Sequence, residues 1–257
     1  MLLRYLVLLL LVPLAGCGQS PRPGTKVKWF ILGEDSISVS LTSYGAGKGP
    51  VYVHLHDDET TALDAALPIL RTNGGLLLKI HNNGERNIRF TLDSAEYEFD
   101  PNRMFSREGI THSLVRHKRI SNKSIAAIED FARAFLEMLP SSPTMLVALH
   151  NNRNGSLSVK TYMGEGEEAA DAADVSVVKK ADPDDFMLTT ERGLFDHFRS
   201  RFNIVLQSSG RLTQDGSLSV YCGEKGIPYL NCETEHGHKV QFENMLVELQ
   251  HYLRRDK

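Results

Sequence analysis

The sequence predicts an α/β fold: a three-layer sandwich with a mixed, mostly parallel central sheet flanked by helices. Two observations carry this. Short apolar or alternating runs recur along most of the chain, and three longer segments with helical apolar periodicity lie between them. Strands interleaved with helices at this spacing suggest helices covering a mostly buried sheet.

Taken in order, strand-like runs occur at 26–32, 36–42, 51–56, 75–81, 144–149, 203–207, 217–222 and 227–232. Helical periodicity appears at 59–71, at 122–139 ("NKSIAAIEDFARAFLEML") and at 239–253 ("KVQFENMLVELQHYL"). In the last, Phe242, Met245, Leu246, Leu249 and Leu253 share one face. "LPSSP" at 139–143 ends the middle helix. Residues 93–120 show little periodicity and read as loop-rich, and "GEGEEAADAAD" at 164–174 reads as a surface loop or short solvated helix. Loops at strand ends are where α/β proteins place their sites.

The balance of 29 Lys+Arg against 32 Asp+Glu, with no basic run, argues against a nucleic-acid partner. At the amino terminus, "MLLRYLVLLLLVPLAGCGQS" has one Arg4 before an apolar run too short to span a bilayer, as in a cleaved secretory signal. "LAGC" at 14–17 resembles a bacterial lipobox, which implies cleavage before Cys17 and acylation of its thiol. Gly18 after the cysteine implies sorting to the outer membrane in a diderm cell. The expected organisation is thus a signal peptide at 1–16, a lipidated Cys17 and polar tether to 25, and one catalytic domain at 26–257. That places the protein in the bacterial envelope, anchored to the membrane by lipid. In that oxidising compartment Cys222 and Cys232 are candidates for a disulfide, with two buried thiols as the alternative.

Four pieces carry chemistry. "LHDDETTALDAAL" at 55–67 follows the strand-like "PVYVH" and puts His56 at a strand end and Glu59 in the first helical turn, where both converge on one ion. Asp57 or Asp58 is placed to cap that helix, and His54 is read as a supporting or core histidine. "HNNGERNIRFTLDSAEYEFDPNRMF" at 81–105 brings Arg86, Arg89, Asn102 and Arg103. "MLVALHNN" ends an apolar run on His150, and "IPYLNCETEHGH" ends another on Glu233 and Glu235. Two short-range ligands plus one remote histidine is the arrangement of a catalytic zinc with an open position. "EHGH" at 235–238 is a rival metal cluster, read in preference as the loop opening the last helix.

"HDDE", "RNIRF", "DPNR", "LVALH" and "YLNCE", in that order over about residues 26–253, resemble the zinc carboxypeptidase family. That family comprises the carboxypeptidase A-like enzymes and their relatives, the succinylglutamate desuccinylase/aspartoacylase deacylases. The resemblance implies one zinc ion per chain, held by His56, Glu59 and His150. It implies that Asn102 and Arg103 hold a substrate's free carboxylate, where an arginine fork binds bidentately. Arg89, with Arg86 as the alternative, matches the arginine that stabilises the oxyanion. Glu233, with Glu235 as the alternative, matches the general base. A mobile tyrosine has no distinctive match among Tyr162, Tyr221 and Tyr229. Asp58 stands where carboxypeptidase A-like enzymes often carry an arginine, a departure expected to shift preference toward basic or smaller substrates.

The expected activity is zinc-dependent cleavage of an amide next to a free carboxylate, in envelope or peptidoglycan-derived peptides. The alternatives are zinc-dependent deacylation of an N-acyl amino acid and a non-catalytic envelope lipoprotein that retains the fold.

Overall fold

The structure is a computed structural model that describes residues 24–46, 49–208, 210 and 212–255. The signal peptide and Cys17 lie outside the described residues. In chain order the strands are β1 (Thr25–Leu32), β2 (Asp35–Tyr44), β3 (Val51–His54), β4 (Gly75–His81), β5 (Ile88–Leu92), β6 (Ala95–Phe99), β7 (Leu146–Asn152), β8 (Ala172–Ser176), β9 (Phe186–Thr189), β10 (Asn203–Gln207) and β11 (Tyr229–Glu235). The helices are α1 (Thr60–Asn73), α2 (Arg107–Arg116), α3 (Asn122–Leu136), α4 (Arg192–Phe198), α5 (Leu218–Lys225) and α6 (Lys239–Arg255).

Nine strands form one sheet in the order β1-β2-β4-β3-β7-β11-β9-β10-β8, and β5 and β6 form a separate hairpin. The four central strands β4, β3, β7 and β11 run parallel. On one side β2 pairs antiparallel with β4 and β1 with β2; on the other β9 pairs antiparallel with β11, β10 runs parallel to β9 and β8 pairs antiparallel with β10. Side-chain parity then builds two cores. Val51, Val53, Leu146 and Ala148 face the layer that holds Phe131 and Phe135 of α3 and Leu218 of α5. Tyr52, Val147, Leu149 and Leu230 face α1, α4 and α6 through Ala66, Phe195, Phe242 and Leu246. This is the three-layer sandwich that the alternating runs predicted.

Three local expectations are corrected. Residues 217–222 are not a strand: Ser217 caps α5 by accepting from the Val220 amide, and Gly226 ends the helix in the left-handed region at φ 63°. The span 93–120 is not mainly loop, since it holds β6 and α2, the latter capped by Ser106. Cys222 and Cys232 are free and buried, with no disulfide. Cys222 packs into one core and Cys232 into the other, so the sheet separates them. Burial pushes both thiols up, which keeps them protonated.

Candidate metal centre and active-site cavity

The carboxyl ends of β3, β7 and β11 build the site. In a parallel pair, residues at the same register point to the same side, and Glu233 is level with His150 across β11 and β7. His56 comes two residues after β3, where the chain turns into α1. Glu59 is the residue immediately before that helix and offers its side chain to the cluster, not to a cap. Neither Asp57 nor Asp58 caps α1. Asp57 accepts from Lys79 Nζ and from the Asn82 and Gly84 amides, and so ties down the loop after β4.

His56, Glu59 and His150 are 1%, 1% and 4% exposed. His56 Nδ1 lies 2.8 Å from Glu59 Oε1, His150 Nδ1 lies 2.8 Å from Glu59 Oε2, and the two Nδ1 atoms are 3.2 Å apart. A zinc ion with tetrahedral bonds of about 2.0–2.1 Å holds its ligand atoms about 3.3 Å apart, so these three side chains fit one ion. The proton arrangement points the same way. If both imidazoles donate to Glu59, their Nδ1–H groups face each other at 3.2 Å, a repulsion that a shared cation removes. His56 Nε2–H donates to Asp100 Oδ1 at 2.7 Å, which fixes the ring and leaves Nδ1 for the ion. His54 supports from behind, its Nε2 on the Glu59 carbonyl at 3.0 Å. Burial lowers its pKa to about 4, so this ring is neutral.

The electrostatics are those of a tight ionic cluster. Burial on its own would lower His56, but the Glu59 and Asp100 carboxylates raise it to about 9. Burial likewise opposes ionisation of Glu59 and Asp100, yet the histidines hold Glu59, and His56 with Arg86 holds Asp100, well below the carboxylate range. Glu233 behaves differently. Burial, with the Glu59 charge nearby, pushes it up to about 7 against the pull of His150. Asn231 Nδ2 donates to Glu233 Oε2 at 3.2 Å and steadies it.

All of these groups open onto a cavity of about 650 Å³. Arg86 lines it and pairs with Glu59 Oε1. Arg89 does not reach it: flanked in β5 by buried Ile88 and Phe90, it points outward and pairs with Glu98 at 3.0 Å. The arginine at the metal cluster is therefore Arg86. Asn102 and Arg103 line the cavity in a 3₁₀ turn, Pro101–Arg103, capped by Asp100. Asn102 Oδ1 accepts from the Leu218 amide at 3.0 Å, and Arg103 pairs with Asp215 at 2.8 Å. That contact needs glycines. A Cβ on Gly216 (φ +75°) would lie 2.5 Å from the Arg103 carbonyl oxygen, and one on Gly109 would lie 2.4 Å from Gly216 Cα.

Sequence reasoning did not single out Asp100, Asn231 or Asp215. Asp100 was visible as the first residue of "DPNR"; the other two carry no local signal. The rival at the start of α6 also gathers ligand types, with His238 Nδ1 2.9 Å from Asp185 and Asp182 beside them, and Asp182, Asp184 and Glu235 in a second group. Both groups are more exposed than the buried His56, Glu59 and His150.

The fold and site define an α/β protein with a buried two-histidine, one-carboxylate cluster at the carboxyl ends of its central parallel strands. No protein-family model matches the chain, and no curated protein matches it in sequence. Solved structures are similar in shape. Murein-tripeptide amidase MpaA from Escherichia coli O157 is 9% identical, with 89% of this chain and 92% of that one covered and a TM-score of 0.43. An aspartoacylase family protein from Mesorhizobium loti is 14% identical, with 91% and 69% covered and a TM-score of 0.40. A succinylglutamate desuccinylase/aspartoacylase from Rhodobacter sphaeroides is 13% identical, with 91% and 67% covered and a TM-score of 0.39.

Proposed function

We propose that the protein is a zinc-dependent hydrolase that cleaves an amide bond next to a free carboxylate. The observation that carries this is the convergence of His56, Glu59 and His150 within one ion's reach, with Glu233 on the adjoining strand. When bound, zinc supplies Lewis acidity toward a carbonyl and toward water. Glu233, raised toward neutrality by burial, takes a proton from the attacking water and returns one to the leaving nitrogen. Arg86 presents its guanidinium to the charge that develops on the carbonyl oxygen. Asn102, whose oxygen is committed to α5, offers its NH2 end, and Arg103 its fork, to the substrate carboxylate.

The substrates that suit this site are peptides, including peptidoglycan stem peptides, or acylated amino acids. Hydrolysis of short peptides compared with N-acyl amino acids separates peptidase from deacylase. Glu233→Gln with zinc retained should abolish turnover of either class, and full turnover in that variant contradicts the assignment. The amino-terminal reading adds that the domain works in the envelope, held by an acyl chain on Cys17. Loss of membrane association in Cys17→Ser tests this, and unchanged association contradicts it.

A further inference from the structure

We propose that the outer face of β1 rests on the membrane to which Cys17 is anchored, with Val27, Trp29 and Ile31 at the level of the lipid headgroups. The inference rests on the lipid-anchor reading of the amino terminus and adds how the domain lies on the bilayer.

β1 is the edge strand of the nine-stranded sheet, and its two faces differ. Phe30 and Leu32 are buried in the core, and the Phe30 ring meets Phe131 of α3 edge-on at 5.5 Å. On the opposite face Val27, Trp29 and Ile31 are 54%, 67% and 79% exposed. The register sets Ser40, Ser38 and Ser36 of β2 beside them. The neighbouring strand therefore offers only short hydroxyl side chains, and the apolar stripe is left uncovered. Three large apolar residues in line on one open face mark a surface that gains by leaving water.

Three features select lipid as the occupant. Thr25, the first residue of β1, comes eight residues after Cys17, so an extended tether holds it within about 28 Å of the acylated cysteine. Trp29 is the single tryptophan of the chain, and an indole, apolar in body with one N–H, suits the headgroup level. The charges are also ordered along the chain. Arg22, Lys26 and Lys28 lie toward the anchor, whereas Glu34 and Asp35 lie at the far turn. Lys26 and Lys28 alternate with the stripe, so they attract anionic lipid through space, over a Debye length of about 10 Å, and not by contact. The same two lysines oppose strand addition by a second copy, the other occupant an open edge invites.

The test uses the processed chain, expressed in a diderm bacterium and reconstituted in vesicles of phosphatidylethanolamine and phosphatidylglycerol. Mass spectrometry of Cys17 reads the anchor. Quenching of Trp29 fluorescence by phospholipid brominated near the headgroup reads the face. Emission should shift to the blue and fall by about half or more in the brominated vesicles. Val27→Asp/Ile31→Asp, which leaves Trp29 in place, should remove both effects with the circular dichroism spectrum unchanged. An acylated chain whose Trp29 is not quenched overturns the proposal and keeps the anchor. Trp29 shielded from aqueous iodide yet untouched by the brominated lipid marks a protein occupant, a second copy or the chain's own amino-terminal segment, and overturns it too. So does quenching that persists in the double variant. A Cys17 without lipid overturns the anchor reading and this proposal with it.

Discussion

At the scale of single residues, the site depends on which atoms are already engaged. Asp100 holds His56 by Nε2, so Asp100→Ala should weaken zinc binding by about 10–100-fold, read by competition with a chelator, with the fold intact. Glu233 has two separate signatures. Glu233→Gln should lower kcat by about 10²–10⁴-fold at unchanged metal content. In the metal-free protein the Glu233 carboxyl sits at about 7 against an ordinary 4.5. As pH rises through that window the unfolded chain ionises first, so the native state loses stability between about pH 4.5 and 7. The loss is on the order of 3 kcal/mol. Glu233→Gln should remove it, so denaturant midpoints of the two proteins should diverge with rising pH, the variant being the more stable. Parallel curves would contradict the burial of this charge.

At the scale of elements, the strand ends aim the side chains, and tight loop contacts hold the cavity's shape. Gly216 packs on the Arg103 backbone at a positive φ, so Gly216→Ala adds both strain and a clash. It should cost about 1–3 kcal/mol in chemical denaturation and loosen the Asp215 pairing with Arg103. Much of this level was legible in the sequence. The apolar runs into His56, His150 and Glu233 located three strand ends, and the period of 122–139 located α3. What was not legible has physical causes. "LSVYC" alternates like a strand, and only the pairing of Ser217 with Gly226 marks it as a short capped helix. The sequence favoured Arg89 over Arg86, and the structure reverses that order. The choice between them depends on the turn before β5, which sets Arg86 toward Glu59 while the strand's parity turns Arg89 away. Asp215, the acid paired with Arg103, is 112 residues away along the chain and is brought to it only by tertiary packing.

At the scale of the whole molecule, a nine-stranded sheet with a core on each face brings His56, Glu59 and His150 together as a buried cluster of opposite charges at its strand ends. Metal that binds only the native state stabilises it by mass action, about 2.7 kcal/mol at 100 times the dissociation constant. The most direct test is the metal content of the full chain after zinc loading and exhaustive dialysis, for wild type and for the His56→Ala/His150→Ala double variant. One zinc per wild-type chain, lost in the variant, is the predicted result. No retained zinc in wild type, or equal retention in both, would contradict the metal centre.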